Sequence, residues 1–373
     1  MTRKIQDIIP MLSNEEIIFT IALFRTKGVG LQKAKKLISA FGSAVDVFSA
    51  RKVDLINIVG KSILQDFPNN ESIEFAKHEL EYIKNNGITF LRFDDEEYPF
   101  LLKQLYDGPL FIMLKGNFNL NAGRFISIVG TRNITGYGKE FCEKLVEKLA
   151  PYNPTIISGL AYGVDITAHI SAIKNKLQTI AVVAHGLNQI YPKSHTSYAK
   201  QVQENGAILS EFNTDEIPDR EHFPQRNRII AGISKTTIVI EAAKKGGALI
   251  TAELANDYNR DVFALPGRSS DYFSAGCNNL IKQNKAILLN SPSDIIEYLG
   301  WDEPQQQVTQ KSLFIETTVE EDIVINVLTK KDLALDELAI VTEIPVYKVV
   351  TILLGLELKG LVKPLPGKIF RLT

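Results

Sequence analysis

Seven basic side chains follow short apolar segments of this sequence, where together they could hold a chain of phosphates. The segments are rich in Ile and Val, and the basic residues after them are Arg132, Lys193, Arg226, Arg228, Lys244, Lys245 and Arg268. Any one of these residues alone favours a solvated surface charge. Their occurrence at corresponding positions favours anion binding, because a phosphate backbone requires a distributed line of positive charge.

An aromatic residue, Phe223, stands just before the densest part of this basic set. It is followed by Arg226, Asn227 and Arg228. An aromatic ring beside cations is suited to stack on an unpaired base, which is how proteins hold single strands without reading their sequence. The combination of one ring with several basic residues favours a polymer over a mononucleotide as the ligand.

The segment 126–132 reads Ile-Ser-Ile-Val-Gly-Thr-Arg and carries the first of these basic residues. Its β-branched residues predict a buried parallel strand that ends at Gly130. Thr131 and Arg132 then form a loop before a helix predicted over 136–150. A strand that delivers a glycine and an arginine to a helix N-terminus places free N–H groups and a fixed charge together, as phosphate binding requires. A tight turn with a surface arginine explains the segment equally well.

Apolar and helical segments alternate from residue 126 to about 300. This alternation predicts an α/β fold with an extended Rossmann-like, doubly wound, mostly parallel sheet over 85–301. Earlier strands near 88–93 and 110–115 are expected to extend the edge of the sheet. Ligands of such sheets bind at the carboxyl ends of the strands, where the second main strand delivers Ser158 and Gly159.

Several common nucleotide-binding and catalytic motifs do not occur in the sequence. There is no P-loop, no G-x-G-x-x-G after the first main strand, no G-x-S-x-G elbow and no metal-ligand spacing of histidines. We therefore expect no metal, no cofactor and no catalytic residue. Three acids at the predicted site, Asp165, Glu211 and Glu241, are expected to orient arginines or hold loops. A nucleotide-binding or nucleotide-hydrolysing enzyme, with Glu241 or Asp165 as acid or base, stays open as the alternative.

Composition limits the classes of protein to consider. The 373 residues are 45% hydrophobic and 23% charged, with a net charge of −1, which is ordinary for a soluble protein of two or three domains. Binding of nucleic acid must therefore depend on a local patch. The two cysteines have no C-x-x-C spacing, and the sequence shows neither an apolar leader nor a long uncharged span. We expect a cytoplasmic protein without membrane contact.

Residues 1–84 predict a small helical domain. Gly28-Val29-Gly30 lies between two apolar helical stretches and is followed by lysines, an arrangement that resembles a helix-hairpin-helix turn. In such a turn, glycines let backbone N–H groups approach a DNA phosphate. Helix-capping glycines in a bundle are the competing explanation, so contact between this domain and DNA stays open.

The sequence after the sheet predicts a polar linker over 302–316 and a winged-helix-like domain over 317–373. Helices predicted near 319–329, 333–342 and 345–358 are followed by a hairpin. This order of elements is that of a winged helix-turn-helix.

The charge of this last domain argues against tight binding of a duplex. From residue 311 to residue 373 the chain has eight Lys or Arg against nine Asp or Glu. The predicted recognition helix carries only Lys348 and Lys359 as basic residues. A protein-contact or accessory role is therefore expected.

Several longer motifs occur in order between residues 88 and 300. They are Gly-Thr-Arg…Tyr-Gly, Ser-Gly-Leu-Ala-x-Gly-Val-Asp…Ala-His, Gly-Leu…Tyr-Pro, Phe-Pro-x-Arg-Asn-Arg-Ile-Ile-Ala-Gly, Glu-Ala…Gly-x-Leu-Ile-Thr-Ala and Leu-Pro-Gly. This set resembles the DNA-processing protein A family, also called DprA or Smf. Many members also carry an N-terminal helical module and a C-terminal winged-helix-like domain, as predicted for this chain.

The resemblance implies single-stranded DNA binding, homodimerisation through the sheet domain, and loading of the RecA recombinase onto DNA during natural transformation. It implies a DNA pocket formed by Arg132, Phe223, Arg226 and Arg228, to which Lys193 and Lys245 are added. The full set of residues expected to bind single-stranded DNA is Gly130, Thr131, Arg132, Ser158, Gly159, Lys193, Phe223, Arg226, Asn227, Arg228 and Lys245.

Three positions depart from the pattern expected of the family. Tyr162 stands where many members are expected to carry a basic residue, His195 where they carry Asn, and Gly246 where they carry Ser. Tyr162 removes one charge contact and offers a ring that can stack instead. The fold is also similar to that of small nucleotide-processing Rossmann proteins, which keeps a nucleotide pocket open as the alternative.

Overall fold

The computed structural model describes residues 12–60, 67–120, 123–301, 318–329, 331–365 and 369–372. The chain divides into two units, residues 1–303 and residues 304–373. The predicted linker over 302–316 lies outside the described residues, as does the tip of the C-terminal hairpin. The first unit contains both the predicted helical domain and the predicted sheet domain.

The described residues of the N-terminal helical module form five helices, which are α1 (Asn14–Arg25), α2 (Gly30–Phe41), α3 (Ala44–Ser49), α4 (Lys52–Val59) and α5 (Asn70–Asn85). The Ser13 hydroxyl caps α1 by accepting a hydrogen bond from the Glu16 N–H at 3.1 Å. The Glu16 carboxylate then accepts the backbone N–H of Ala44 at 2.5 Å, at the start of α3. One buried carboxylate therefore joins two helices of the module.

The helical module is fastened to the sheet by a shared core and by polar bonds. Ile17 and Leu37 of the module belong to the same buried cluster as Phe111 of the sheet. Glu16 also forms a buried ion pair with Arg92. Elsewhere Arg25 pairs with Asp215 at 2.8 Å, and the Glu79 carboxylate accepts the Thr214 hydroxyl at 2.5 Å. The module and the sheet therefore fold against each other.

A nine-stranded sheet forms the centre of the first unit. Its strands are β1 (Thr89–Arg92), β2 (Phe111–Gly116), β3 (Phe125–Val129), β4 (Thr155–Ser158), β5 (Thr179–Val182), β6 (Gly206–Ser210), β7 (Thr236–Val239), β8 (Asp261–Ala264) and β9 (Ile287–Leu288). Their order is β1-β2-β6-β5-β4-β3-β7-β8-β9. Strands β3 to β9 pair in parallel, while β1 and β2 are antiparallel at one edge. The predicted mostly parallel, doubly wound sheet is confirmed.

Eight helices connect or flank these strands. They are α6 (Phe100–Lys103), α7 (Gly136–Leu149), α8 (Val164–Lys174), α9 (Thr196–Glu204), α10 (His222–Ile233), α11 (Gly247–Asp257), α12 (Ala275–Lys282) and α13 (Pro292–Tyr298). After β3 the chain moves outward to β4, β5 and β6 and then returns to place β7 on the other side of β3. This reversal makes a topological switch point, which is where open α/β sheets bind ligands.

The second unit has the elements of a winged helix. Its described elements are α14 (Val319–Leu328), β10 (Leu333–Ala334), α15 (Leu335–Thr342), α16 (Val346–Leu358), β11 (Val362–Leu365) and β12 (Ile369–Leu372). The three strands pair in the order β10-β12-β11. The predicted winged-helix-like domain is confirmed. No single helix of the described residues has the length and apolar composition to cross a membrane, although α15 and α16, bent by 108°, pass that test as a pair.

Candidate nucleic-acid interface

The loop after β3 carries Arg132 and is held in place by hydrogen bonds to neighbouring segments. The Thr131 N–H donates to the Glu241 carbonyl at 2.7 Å, and the Thr131 carbonyl accepts the Val164 N–H at 3.1 Å. The Glu241 carboxylate accepts both the N–H and the hydroxyl of Thr135, at 2.9 and 2.5 Å. The backbone around Arg132 is therefore fixed, while its side chain is exposed to solvent.

Two glycines let the loop after β4 approach its neighbours closely. Gly163 has a φ of 76°, and a Cβ there would overlap the carbonyl oxygen of Thr131. A Cβ at Gly159 would overlap the guanidinium of Arg226. Gly163 requires glycine because its φ is positive and it lies against the backbone of the loop after β3, while the absence of a side chain at Gly159 leaves the space that Arg226 of α10 occupies.

Arg226 is buried beneath this loop and holds two strand ends together. Its Nη1 donates to the Gly159 carbonyl at 2.6 Å and also to the Val182 carbonyl at the end of β5. Burial, assisted by Arg132, lowers the pKa of Arg226 to about 10, while Asp165 opposes this shift. The guanidinium therefore stays charged at neutral pH. Its Nη2 makes no hydrogen bond to the described residues, so that nitrogen retains donors for an anion.

Phe223 has both arginines close to its ring. The guanidinium carbon of Arg132 is 5.4 Å from the centre of its ring, and that of Arg226 is 5.9 Å away. Because Phe223 and Arg226 are three residues apart on α10, they share one face of the helix. Tyr191 adds a second ring, with 6.1 Å between the ring centres. Arg132, Tyr191, Phe223 and Arg226 are called the strand-end cluster below.

Arg228 was expected in the same pocket, but the structure does not bring it there. Two residues along a helix are turned by about 200°, so Arg228 points away from Arg226. Its guanidinium forms an ion pair with the buried Glu211 and donates to the carbonyl of Asp107. The spacing of two residues within a helix is sufficient to predict that Arg226 and Arg228 face different sides of it.

The surroundings of Arg228 form a second charged group, made of Lys35, Asp107, Glu211 and Arg228 and called the junction cluster. Burial raises the pKa of Glu211, and Arg228 opposes that shift. Burial also lowers the pKa of Lys35 to about 8, and Arg228 adds to the effect. The Tyr258 hydroxyl donates to the Asp107 carboxylate at 2.7 Å. These groups are directed at each other, where α2, the loop after α6 and α10 meet.

The remaining predicted residues divide into exposed cations and buried supports. The exposed cations are Lys193, Lys244, Lys245 and Arg268. Ser158 is buried and donates its hydroxyl to the Ile128 carbonyl at 2.6 Å. Asn227 is also buried, and its side-chain oxygen accepts the Arg226 Nε–H at 3.1 Å. Gly130 lies against Val164. Ser158 and Asn227 therefore support the loops and arginine of the site.

Carboxylates near the strand ends hold neighbouring groups in place. Glu241 holds the Arg132 loop, and Glu211 orients Arg228, as expected from the sequence. Asp165 is buried, which raises its pKa, although Arg226 acts in the opposite direction. No group of three or more His, Cys, Asp or Glu side chains that could hold a metal occurs in the part of the chain that the structure describes.

Comparison with family models shows which family this chain belongs to. The model described as DNA recombination-mediator protein A matches residues 89–300 of the 373. The chain belongs to this family. A model of the DprA winged helix domain matches residues 314–368, so the second unit also matches a domain of DprA proteins.

Known DprA relatives extend the match over almost the whole chain. Protein Smf from Synechocystis is 32% identical over 95% of this chain and 98% of its own length. DNA processing protein DprA from Bacillus subtilis is 41% identical over 58% of this chain and 73% of its own. The X-ray structure of DprA from Streptococcus pneumoniae has a TM-score of 0.64 at 31% identity and covers 77% of this chain and 98% of that one.

A second solved DprA structure is also similar to this chain. It describes the single-stranded DNA binding mode of DNA processing protein A from Helicobacter pylori. That protein is 30% identical to this chain, with a TM-score of 0.53, covering 58% of this chain and 97% of that one. The family and its fold are thus established from two directions, by sequence and by structure.

Proposed function

We propose that this protein binds single-stranded DNA through the strand-end cluster and acts as a recombination mediator. The observation that carries the proposal is that the guanidinium groups of Arg132 and Arg226 both lie close to the Phe223 ring, at 5.4 and 5.9 Å from its centre. One ring can stack on an unpaired base while the cations beside it bind the flanking phosphates. The single-stranded DNA described for the Helicobacter pylori relative supports the same class of ligand.

The proposed contact set is wider than the cluster itself. The exposed ammonium groups of Lys193 and Lys245 extend the positive line, and backbone groups of Gly130 and Thr131 lie beside Arg132. Gly159, Ser158 and Asn227 act by holding these groups in place. Because every base has a flat face, binding is sequence-tolerant. Binding also weakens steeply with added salt, because counterions replace the protein's cations at the DNA phosphates.

We also propose that the bound strand is handed to the RecA recombinase, in the cytoplasm, during natural transformation. A homodimer formed through the sheet domain lengthens the track for DNA. Its support is the edge strand β9, in which Ile287 and Leu288 are both exposed. An apolar sheet edge of this kind favours pairing with another chain. Leu288→Glu should therefore lower the mass measured by sedimentation from dimer to monomer.

The binding proposal is tested with a fluorescent oligothymidylate and a duplex of equal length, by anisotropy at several salt concentrations. We expect preference for the single strand and a linear loss of log affinity with log salt. A recombinase assay in the presence of single-strand-binding protein then tests mediation. Equal affinity for duplex and single strand, with no salt dependence, would show that the cluster is not a strand-binding groove.

The nucleotide-enzyme alternative has less support. Its two candidate acid or base groups are Asp165, which is buried, and Glu241, whose carboxylate is bonded to Thr135. Incubation with nucleoside monophosphates, followed by chromatography for released base, separates the two functions. Turnover without any polymer would favour the enzyme.

A further inference from the structure

A third aromatic ring lies close to the strand-end cluster without belonging to it. Tyr162 is in the loop between β4 and α8, and 49% of its surface is exposed. The same loop contains Gly159, whose carbonyl binds Arg226, and Gly163, which lies against the Thr131 carbonyl. The ring is thus carried by a loop whose neighbours on both sides are part of the site.

Two contacts hold the Tyr162 ring in one orientation. Its edge-to-face partner is His195, with ring centres 4.7 Å apart and planes at 70°. Its hydroxyl is 2.8 Å from the Ser194 Oγ. His195 is itself buried and fixed by a hydrogen bond of its Nδ1 with the Leu160 carbonyl at 2.9 Å. A ring fixed in advance loses little conformational entropy when a ligand covers it.

The residue that precedes the hydroxyl partner of this ring is a cation. Ser194, which contacts the Tyr162 hydroxyl, follows the exposed Lys193 in a short 3-10 turn, Lys193–His195. The same stretch begins at Tyr191, whose ring meets Phe223. Three residue steps of at most 3.8 Å each therefore connect the backbone beside Phe223 to the backbone beside Tyr162. The two backbone positions are therefore no more than about 11 Å apart.

We propose that Tyr162 is a second base-stacking platform, with Lys193 as its phosphate contact, next to the platform of Phe223. This inference rests on the proposed single-stranded DNA binding and specifies how a second nucleotide is held. The contact is made by a ring face, so it contributes affinity that salt does not remove. Phe223 stacks with arginines beside it, whereas Tyr162 stacks with a lysine beside it.

The full-length chain offers a matched control for the experiment. Tyr298 is 52% exposed, meets Phe263 edge-to-face at 5.2 Å and bonds Asp261 through its hydroxyl at 3.0 Å. Asp261 begins β8, so Tyr298 stands at the amino ends of the strands, away from the site. Tyr162 and Tyr298 therefore have the same kind of environment, one at the carboxyl ends and the other at the amino ends of the strands of one sheet.

Anisotropy with a labelled oligothymidylate measures the contribution of the ring. Tyr162→Leu should weaken binding about fivefold or more, as the loss of one stacked base predicts. Tyr162→Phe keeps the ring face and should restore affinity to within about twofold of the wild type. Tyr298→Leu should leave affinity unchanged. If Tyr162→Leu binds as the wild type while Phe223→Leu fails to bind, the second platform is refuted and the proposed function stands.

Fluorescence distinguishes stacking from a purely structural role of the tyrosine. In Tyr162→Trp, added oligothymidylate should quench the new indole, whereas in Tyr298→Trp it should not, with Trp301 as a constant background. Loss of affinity in Tyr162→Leu without quenching in Tyr162→Trp would overturn the proposal, because the ring would then act only by supporting His195. If Arg132→Ala and Phe223→Leu also bind normally, the proposed function itself fails.

Discussion

The two faces of helix α10 carry arginines with different partners. On one face, Arg226 joins the strand-end cluster, and Arg132 beside it makes no ion pair within the described residues. On the other face, Arg228 is paired with Glu211 in the junction cluster. The two arginines are separated by one residue. From this difference we infer that the capacity to bind an anion depends on which cations lack a carboxylate partner, more than on how many cations are present.

The winged-helix unit follows the same rule. Lys348 of α16 is 3.2 Å from Glu320, and Lys359, just after α16, is 2.8 Å from Glu321. The same helix exposes the large side chains of Tyr347 and Leu354. A recognition helix whose basic residues are bonded to its own domain is poorly equipped to bind phosphates. The expectation of an accessory role for this unit is consistent with these contacts and stays a prediction.

The largest expected effect is on stability, at the junction cluster. Arg228→Met leaves the buried carboxylate of Glu211 without its partner and should lower the free energy of unfolding by about 3–5 kcal/mol. Urea unfolding followed by circular dichroism measures this loss. The double variant Arg228→Met with Glu211→Leu should recover most of it. The folded fraction should bind oligothymidylate normally, and weakened binding would instead assign Arg228 to the DNA surface.

The opposite outcome is expected at the strand-end cluster. Arg132→Ala should weaken binding of all single strands about 10- to 100-fold, since it removes a charge-assisted contact. The slope of log affinity against log salt should fall by about 0.7. Stability should change by no more than about 0.5 kcal/mol, because the side chain is exposed.

Arg124 is the matched control for Arg132. It precedes β3 at the amino end of the strand and lies over the Trp301 ring at 4.9 Å, much as Arg132 follows β3 and lies over Phe223. Arg124→Ala should leave affinity for oligothymidylate unchanged. If the two variants lose affinity equally, binding follows net charge and the strand-end cluster has no special role.

In acid, His169 should contribute a loss of stability to the unit that holds both clusters. Burial, with contributions from Arg226 and His195, lowers the pKa of His169 from 6.5 to about 3. As the pH falls through 6.5, the unfolded chain gains a proton at this histidine while the folded chain does not, so stability is lost. From pH 7 to pH 5 the loss should be about 2 kcal/mol.

Comparison of the wild type with His169→Gln in urea at both pH values isolates this effect. The variant should lose about 2 kcal/mol less than the wild type on going from pH 7 to pH 5. The buried carboxyls of Asp165 and Glu211 have raised pKa values and act in the other direction in both proteins. An identical pH dependence of the two proteins would show that His169 titrates normally in the folded state.

The smallest effect is expected from removal of the winged-helix unit. A chain that ends after Glu303 keeps the complete first unit and should bind oligothymidylate within about threefold of the full chain. Anisotropy at one salt concentration is sufficient to test this. Loss of all binding would place the main DNA contact in residues 304–373.

The sequence predicted the fold well because its signals are local and repeated. Short Ile- and Val-rich strands alternate with helices from residue 126, which favours a parallel doubly wound sheet. The grouping of Phe223 with Arg226 also follows from helical spacing, as does the separation of Arg228. The burial of Arg226 does not, because it depends on carbonyls at the ends of β4 and β5 that only the folded chain brings together. The Tyr191 contact with Phe223 is of the same kind.

The bonds between the helical module and the sheet have a practical consequence for anyone who shortens this protein. A boundary drawn at residue 85 would separate Arg92 from Glu16 and Asp215 from Arg25, and it would uncover the side of Phe111 that packs on the module. A fragment that starts there would keep Asp94 as a partner of Arg92 but lose Glu16, and it would expose an apolar surface. Genetic fusions and crystallisation fragments should therefore retain the first helices together with the sheet.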